Sequence, residues 1–219
     1  MITLPEDLSD LIKITKGILR KYAVVPSKHE GQNFAVDPNL FKTILQSANI
    51  RTTDIVLEIG PGFGILTKLI AQQAKHVIVV EKDPLLATIL QRELLPTQDN
   101  ITLITNDAMT VSFPPFTCFI SNLPFNVSIP ITFKIFKECI FQKYIATYQK
   151  EVALRLCAPS GSKYYSRLSV LSSLRGKWKK LKTFPPRSFY PTPEVAASVL
   201  KFTPKAMYPK SIFSKGFER

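Results

Sequence analysis

The sequence has few of the residues that build metal centres or disulfide frameworks. Its 219 residues include 3 cysteines, 2 histidines and 1 tryptophan. The cysteines, at positions 118, 139 and 157, are odd in number and lack metal-ligand spacing, which argues against a disulfide scaffold. The histidines have no partners that suggest a metal site. We therefore expect reduced thiols, no metal ion and a cytoplasmic location.

Long hydrophobic runs are also missing. The longest apolar stretch, 113–133, contains four prolines and two asparagines, so it does not predict a membrane helix of about 20 residues. The first ten residues carry acidic side chains and lack the basic-then-apolar order of a secretory signal. With 45% hydrophobic residues, the chain is long enough for one large domain with a substantial core.

Acidic residues are scarce in the second part of the chain. Residues 134–219 hold 18 Lys and Arg against 4 Asp and Glu, whereas residues 1–133 hold 11 against 12. This contrast indicates a polyanion-binding surface beside a site for something else. The densest basic run surrounds Trp178, a pattern that suits phosphate contact and stacking; a solvated turn with a buried tryptophan is the alternative. The candidate contacts to a nucleic-acid backbone are Arg175, Lys177, Lys179, Lys180 and Lys182.

Short apolar strands alternate with helices along most of the chain. A helix over 8–19 and a helix from Pro38 to about 48, with Asp37 as its N-cap, come first. The predicted strands then cover 54–59, 76–80, 101–104, 116–121 and 144–148. The helices between them cover 64–73, 84–94, 130–138 and 151–157. This alternation predicts an α/β fold, a mostly parallel doubly wound sheet.

The C-terminal part of the pattern differs. Apolar segments at 178–184 and 196–202 are joined by a proline-rich loop. We interpret them as a C-terminal antiparallel strand pair that returns to the sheet and adds an antiparallel strand at its edge.

A glycine-rich turn follows the strand at 54–59. Gly60, Gly62 and Gly64 let the backbone approach a ligand closely, and the next helix offers free amides. Glu81 lies 21 residues after Gly60, where a carboxylate can bind both ribose hydroxyls of a nucleoside cofactor. This pattern alone fits either a nicotinamide dinucleotide or S-adenosylmethionine.

Three details favour the methyl donor. The glycine spacing lacks the longer last interval of the dinucleotide fingerprint. Glu58, just before the turn, would repel a pyrophosphate but could help hold a cationic aminoacyl-sulfonium ligand. Asp107 follows the third strand and could accept a hydrogen bond from an adenine amine.

The segment Asn122, Leu123, Pro124 and Phe125 follows the fourth strand. Its amide can accept hydrogen bonds from an exocyclic amine while its aromatic ring holds the attached planar base. These four residues are the candidate catalytic group. Opposite a glycine turn, they indicate the acceptor end of a methyl transfer.

On these residues the chain resembles the adenine N6,N6-dimethyltransferases of small-subunit ribosomal RNA, relatives of the macrolide-resistance RNA methyltransferases. The matching segments run from 31 to about 204. They are Gly-Gln-Asn-Phe at 31–34, Glu-Ile-Gly-Pro-Gly at 58–62, Val-Glu-Lys-Asp at 80–83, Asn-Asp-Ala at 106–108, Asn-Leu-Pro-Phe-Asn-Val-Ser at 122–128, Gln-Lys-Glu-Val-Ala at 149–153, Arg-Leu-Ser-Val at 167–170 and Pro-Pro-Arg-Ser-Phe-Tyr-Pro-Thr-Pro-Glu-Val at 185–195.

The resemblance implies a Rossmann-like class I S-adenosylmethionine-dependent methyltransferase. It implies transfer to N6 of a pair of adjacent adenosines near the 3′ end of small-subunit RNA, with the pre-small ribosomal subunit as partner. We also expect a monomer. The implied cofactor-binding residues are Gln32, Asn33, Ala35, Gly60, Gly62, Glu81, Asp107 and Asn122.

Base stacking is assigned to Phe125, with Phe189 as a candidate for the opposite face of the base; plain packing of the proline-rich loop is the alternative for Phe189. Two positions depart from the family pattern. Phe125 replaces the usual tyrosine, which keeps the ring and loses the hydroxyl, and Ala35 replaces a common leucine.

The resemblance also suggests a division of the chain into three parts. These are an N-terminal helical extension at 1–30, a catalytic domain at 31–204 and a short basic tail at 205–219. The tail stands where family members usually continue into a small helical domain.

Three other functions fit parts of the pattern. One is a resistance-type methyltransferase acting on large-subunit RNA, which Leu123 and the Gln-Lys-Glu-Val segment disfavour modestly. Another is an RNA-binding assembly or transcription factor that kept the fold and lost catalysis. A nicotinamide oxidoreductase is the last, and it would leave the Asn-Leu-Pro-Phe segment without a role.

Overall fold

The fold is known from a computed structural model that describes residues 10–27 and 31–205. The strands are β1 (Phe34–Ala35), β2 (Ile55–Ile59), β3 (His76–Glu81), β4 (Ile101–Thr105), β5 (Cys118–Ser121), β6 (Lys143–Gln149), β7 (Gly176–Phe184), β8 (Phe189–Tyr190) and β9 (Ala197–Pro204). The α-helices are α1 (Leu11–Lys21), α2 (Pro38–Ala48), α3 (Ile65–Ala71), α4 (Pro84–Glu93), α5 (Ser128–Glu138), α6 (Lys150–Leu156) and α7 (Arg167–Ser173).

Seven strands form the central sheet, in the order β4-β3-β2-β5-β6-β9-β7. The first five are parallel, whereas β9 is antiparallel to both of its neighbours. The strand order reverses between β2 and β5. In open α/β sheets, ligands bind at the carboxyl ends of the strands at such a switch point.

Each face of the sheet carries its own core. Alternation of side chains along β2 sends Val56 to one face and Leu57 to the other, and both are fully buried. The first face packs on α2 through residues such as Ile44. The second packs on α5, where Phe136 meets Tyr144 and other aromatic rings. The strands are therefore buried on both faces, as parallel sheets require.

The fold class predicted from the sequence is confirmed, and so are the strands and helices of the alternating region, with shifted ends. The N-cap is also as predicted, since the Asp37 side chain accepts a hydrogen bond from Asn39 N. One detail of the C-terminal pair differs. The later strand, β9, lies inside the sheet between β6 and β7, and β7 takes the edge.

Two features were not predicted. Helix α7 covers the matched Arg-Leu-Ser-Val segment and was missed because it is short and rich in serine. The pairing of β1 with β8 joins two-residue strands that are far apart in the chain: Ala35 pairs with Phe189, 154 positions later, and Phe34 with Tyr190, 156 positions later. A pair of that length leaves no periodic pattern in the sequence.

The N-terminal helix is fastened to the domain. Ile18 and Leu19 of α1 pack with Leu86 and Ile89 of α4. The carboxylate of Glu93, at the end of α4, accepts hydrogen bonds from the Tyr22 hydroxyl and from the Lys21 ammonium, the latter at 2.5 Å. Helix α1 is therefore held against α4 by apolar packing and by the Glu93 carboxylate.

All three cysteines carry free thiols, with Cys118 fully buried and the other two half-buried. Within residues 10–27 and 31–205, no helix is long and apolar enough to cross a membrane.

Candidate active site

A cavity that is open to solvent lies at the carboxyl ends of the strands beside the switch point. Every residue implied to bind the cofactor lines it: Gln32, Asn33, Ala35, Gly60, Gly62, Glu81, Asp107 and Asn122. The fold thus brings together side chains that are up to 90 positions apart in sequence. The rest of the Asn-Leu-Pro-Phe segment lines the same cavity.

The glycine turn forms the floor of the cavity and touches the Asn-Leu-Pro-Phe segment. Gly60 has a φ of +67°, which an L-residue adopts only with strain, and its N–H donates to the Val80 carbonyl at 2.9 Å. A Cβ at Gly60 would lie 2.9 Å from Pro124 Cγ. A Cβ at Gly62 would lie 3.1 Å from the Phe34 ring. Glycine is required here because two other walls of the site approach the backbone closely.

Glu81 stands at the end of β3 with only 6% of its surface exposed. Its Oε1 accepts a hydrogen bond from Asp83 N at 2.9 Å, which fixes the carboxylate at the rim of the cavity. Burial raises the pKa of Glu81 to about 7. Ribose hydroxyls that donate to this carboxylate would favour its ionised form.

Glu58 is the second buried carboxylate of the cavity, 1% exposed. Its Oε2 has no hydrogen-bond partner among the described residues. Burial raises the pKa of Glu58 to about 8; the neighbouring Thr67 hydroxyl opposes the rise, and the negative charge of Glu81 adds to it. Burial disfavours the negative charge of the Glu58 carboxylate. A cationic ligand group would pair with that charge, so the environment of Glu58 fits such a group.

The segment 31–35 covers the cavity from the N-terminal side. The Gln32 amide is held at both ends, donating to Asp83 Oδ2 and accepting from Ser27 N, each at 2.8 Å. The rings of Phe34 and Phe63 stack with centroids 4.1 Å apart. Gln32 therefore ties the cover to the strand end that carries Glu81.

Asp107 lies on the far side of the cavity, after β4. Its Oδ1 accepts a hydrogen bond from Met109 N at 2.7 Å, so a tight turn holds the carboxylate in place. Asp107 is exposed, unlike Glu58 and Glu81, which suits an acceptor at an open edge.

The Asn-Leu-Pro-Phe segment leaves β5 and turns into a short 3₁₀ helix, 125–127. Asn122 Oδ1 accepts a hydrogen bond from Thr147 Oγ1 at 2.6 Å. Leu123 is buried in the core, and the Pro124 carbonyl accepts from Val127 N at 3.3 Å. Phe125 is half-buried and reaches the cavity. An amide oxygen and an aromatic ring thus lie at one end of the cavity.

Phe189 does not line the cavity and is 1% exposed. Its ring meets Phe125 edge to face, with centroids 5.9 Å apart and planes at 68°. Because the two rings are in contact, no gap is left between them for a base. In this structure the Phe189 ring is therefore part of the packing of the proline-rich loop. Phe189 supports Phe125 from behind.

The basic run is a strand and not a turn. Lys177, Lys179, Lys180 and Lys182 are exposed along β7, and Arg175, half-buried, precedes it. Trp178 packs against Phe136 and Phe202 in the aromatic core, so its ring is not available for stacking on a nucleotide.

Strand β7 runs in the same direction as β6, since both are antiparallel to β9. Its carboxyl end therefore points to the same side of the sheet as the cavity.

Sequence reasoning missed two contributors to the site. Thr147 contacts Asn122, yet a threonine within a predicted strand gives no signal beyond strand propensity. The Phe34–Phe63 stack joins the Gly-Gln-Asn-Phe segment at 31–34 to the glycine-rich turn, and nothing in either motif predicts this contact. Side-chain contacts between distant segments have no signature in a single sequence.

The sheet order, the glycine turn and the paired carboxylates beside an Asn-Leu-Pro-Phe segment define a Rossmann-like class I S-adenosylmethionine-dependent methyltransferase. Comparison with known proteins then gives the family. The model of the family described as ribosomal RNA adenine dimethylase matches residues 27–215, and the chain belongs to this family. S-adenosylmethionine is the cofactor.

Two curated relatives, each named probable ribosomal RNA small subunit methyltransferase A, are 41% identical to the chain. The protein of Methanosphaera stadtmanae aligns over 87% of this chain and 70% of its own length. That of Methanothermobacter thermautotrophicus aligns over 90% and 71%. The chain therefore spans about seven tenths of these relatives.

Two solved structures share the fold closely. A dimethyladenosine transferase from Plasmodium falciparum superposes with a TM-score of 0.74 at 32% identity, covering 84% of this chain and 66% of that one. The 23S rRNA methyltransferase ErmE gives 0.72 at 30% identity, covering 80% and 70%. Since one of the two is named for 23S rRNA and the other for dimethyladenosine, the fold alone does not identify the RNA substrate.

Proposed function

We propose that this protein transfers methyl groups from S-adenosylmethionine to N6 of adenosines in small-subunit ribosomal RNA, forming N6,N6-dimethyladenosine during subunit assembly. The observation that carries the proposal is the position of the Asn122 amide and the Phe125 ring at one end of a cavity lined by Glu58 and Glu81. The 41% identity to relatives named for the small subunit favours that substrate over large-subunit RNA.

The cavity residues divide into groups that would hold different parts of the cofactor. Glu81 would accept the ribose hydroxyls and Asp107 the adenine amine, while Glu58 would face the cationic end. Gln32, Asn33 and Ala35 would cover the bound molecule. When bound, S-adenosylmethionine supplies an electrophilic methyl group.

The acceptor end needs geometry more than basicity. The N6 lone pair of adenine is delocalised into the ring, so the amine is a poor nucleophile. Asn122 Oδ1 would accept one N6 hydrogen, and the backbone carbonyl of Leu123 or Pro124 would accept the other; one lone pair of the Pro124 carbonyl already accepts from Val127 N. Holding both hydrogens turns the lone pair towards the methyl group. The nitrogen becomes acidic only once methylated, so positioning and electrostatics carry the rate.

Phe125 would stack on an adenine extruded from its helix, a contact that contributes about 1–3 kcal/mol per base. Phe189 would act through Phe125, by keeping the edge-to-face contact behind it. Direct contact of Phe189 with the opposite face of the base would require both rings to separate.

The exposed lysines of β7 would bind the RNA backbone, and Lys182 is the one closest to the carboxyl end of the strand. We expect the double variant Lys179→Gln/Lys180→Gln to weaken RNA binding and to reduce the slope of log Kd against log salt by about 2. Fluorescence anisotropy over a salt series measures both. Lys75→Gln is the matched control, because Lys75 is exposed but precedes β3 at the opposite end of the sheet. Equal losses in the two variants would place the RNA elsewhere.

The two buried carboxylates predict a pH dependence. Glu58 and Glu81 have pKa values raised from 4.5 to about 8 and about 7, so the folded protein binds more protons than the unfolded chain between pH 5 and 8. The free energy of unfolding should therefore fall, by up to about 6 kcal/mol, as pH rises through this range without cofactor. Urea unfolding at pH 5, 6.5 and 8 measures it.

Cofactor binding should show the opposite trend. Glu81 must ionise to accept both ribose hydroxyls, so affinity should rise by up to about tenfold per pH unit below 7. Calorimetry with S-adenosylhomocysteine at pH 6, 7 and 8 measures it, and Glu81→Gln should bind weakly at every pH. An affinity that is constant from pH 6 to 8 would contradict the assignment of Glu81.

The substrate is tested by offering labelled S-adenosylmethionine with undermodified small subunits, free small-subunit RNA and large-subunit RNA. Mass spectrometry of the digested RNA shows which adenosines gain methyl groups and how many. Dimethyladenosine in small subunits alone supports the proposal. Methylation of large-subunit RNA would favour the resistance-type function, and cofactor binding without transfer would favour an assembly factor.

We further propose that the protein acts as a cytoplasmic monomer, with residues 31–204 as its catalytic unit and 1–30 as an extension. The basic tail proposed for 205–219 lies, apart from its first residue, outside the described residues. Light scattering of the free protein measures its oligomeric state.

A further inference from the structure

Thr147 lies directly behind Asn122, yet it takes no part in lining the cavity. Its side chain is fully buried, and its hydroxyl donates to Asn122 Oδ1 at 2.6 Å. Among the described residues, the Asn122 amide makes this one side-chain hydrogen bond. The orientation of that amide therefore depends on one hydroxyl group.

The strand that carries Thr147 is rigidly held. β6 pairs with β5 on one side and with β9 on the other, where Thr147 is opposite Val199. The neighbouring Tyr144 and Tyr148 point to the other face of the sheet, where their hydroxyls bond to each other and to Thr132 at 2.7–2.9 Å. A donor on a central strand with both neighbours fixed presents its hydroxyl at a constant position.

The hydrogen bond from Thr147 leaves Asn122 Oδ1 able to accept a second hydrogen bond. An amide oxygen has two lone pairs, and Thr147 occupies one of them, so the second can accept a hydrogen from the substrate amine. Rotation about the last side-chain bond of asparagine has broad, roughly two-fold preferences. Without the Thr147 hydroxyl, the Asn122 amide can turn and present its NH₂ group to the substrate amine. Both groups are hydrogen-bond donors, so no hydrogen bond would form between them.

We propose that Thr147 is a positioning residue for methyl transfer. Its hydroxyl holds the Asn122 amide with Oδ1 towards the acceptor amine. This inference rests on the proposed function, since it assigns Thr147 a part in the same reaction. It concerns alignment in the reacting complex, so its removal should lower kcat and leave the affinity for the cofactor unchanged.

Three variants separate positioning from stability. Thr147→Val keeps the shape of the side chain and removes the hydroxyl, and we expect kcat to fall about 10- to 100-fold. Thr147→Ser keeps the hydroxyl and should stay within about threefold of wild type. Thr132→Val, the matched control, removes a buried hydroxyl that bonds to Tyr144 and Tyr148 of the same strand but not to Asn122. It should lower Tm and keep kcat within about threefold.

Single-turnover methylation of undermodified small subunits gives the rate, and calorimetry with S-adenosylhomocysteine gives the cofactor affinity. Equal rates for wild type and Thr147→Val would overturn the proposal. So would an equal loss of rate in Thr132→Val, because the effect would then follow stability.

A second readout does not depend on turnover. In protein labelled with ¹⁵N-asparagine, the Asn122 side-chain amide is identified by its absence in Asn122→Ala. We expect its heteronuclear NOE to fall in Thr147→Val and to be retained in Thr147→Ser; an unchanged value in Thr147→Val overturns the proposal. If the wild-type protein methylates none of the three RNA substrates, the proposed function fails. The NMR result then still decides whether Thr147 holds the amide.

Discussion

Asn122→Ala is expected to reduce methyl transfer by about 10³-fold or more while the protein remains folded. The substitution removes the amide oxygen that would accept an N6 hydrogen, and loss of one such aligned group typically costs about 10²–10³ in kcat. Here the effect is larger, because the lone pair of adenine N6 is unavailable for attack until its hydrogens are held. Single-turnover methylation of undermodified small subunits measures the loss.

The same variant leaves the Thr147 hydroxyl buried without its partner, which costs about 1–3 kcal/mol of stability. The double variant Asn122→Ala/Thr147→Val is therefore the control for folding, since it removes both partners and should regain part of that stability. Calorimetry with S-adenosylhomocysteine checks that the cavity survives. Turnover within tenfold of wild type would remove Asn122 from the proposed acceptor role.

Gly60→Ala is expected to have the second largest effect, by damaging the cofactor site and the acceptor site together. The residue has a positive φ of +67°, where a side chain is strained, and the new Cβ would lie 2.9 Å from Pro124 Cγ. Strain of this kind costs about 1–3 kcal/mol. The clash would push the Asn-Leu-Pro-Phe segment off the glycine turn. We expect cofactor affinity and kcat each to fall at least about tenfold, measured by calorimetry and single-turnover assay.

Gly17→Ala is the matched control for that experiment. Gly17 lies inside α1, and a Cβ there would meet no atom within 4 Å. Alanine in a helix interior is favoured over glycine by about 0.5–1 kcal/mol, so this variant should be slightly more stable and fully active. A Gly60→Ala protein as active as Gly17→Ala would show that Pro124 can move without consequence.

Much of the fold was predictable, because its elements have strong local signals. Asp37 and Pro38 mark the start of α2, and the apolar runs that end at Ile59 and at Ser121 mark buried strands. The position of β9 inside the sheet was not predictable, since pairing between strands depends on contacts over long separations. The β1–β8 pair escaped for the same reason.

The residues of the candidate site were predictable as a set, and their individual environments were not. Glycines, carboxylates and an amide at the ends of successive strands must meet at one edge of a parallel sheet. Burial of Glu58, whose Oε2 has no hydrogen-bond partner within the described part of the chain, depends on packing from several segments. The contact of Phe189 with Phe125 likewise depends on where a proline-rich loop returns. Neither the burial of Glu58 nor this ring contact can be predicted from the neighbouring residues in the sequence.

The basic strand β7 has a consequence for the free protein. It is the last strand of the seven-stranded sheet, and an edge strand offers unpaired backbone groups to any other extended chain. Lysines on an edge strand oppose such pairing, because two copies brought together would repel each other. The side chains proposed to bind RNA phosphates thus also oppose self-association of the free protein through this edge. Substitutions that neutralise them to weaken RNA binding would therefore make the unbound enzyme more prone to aggregate, and the difference from wild type would be largest at low salt, where the lysine charges are least screened.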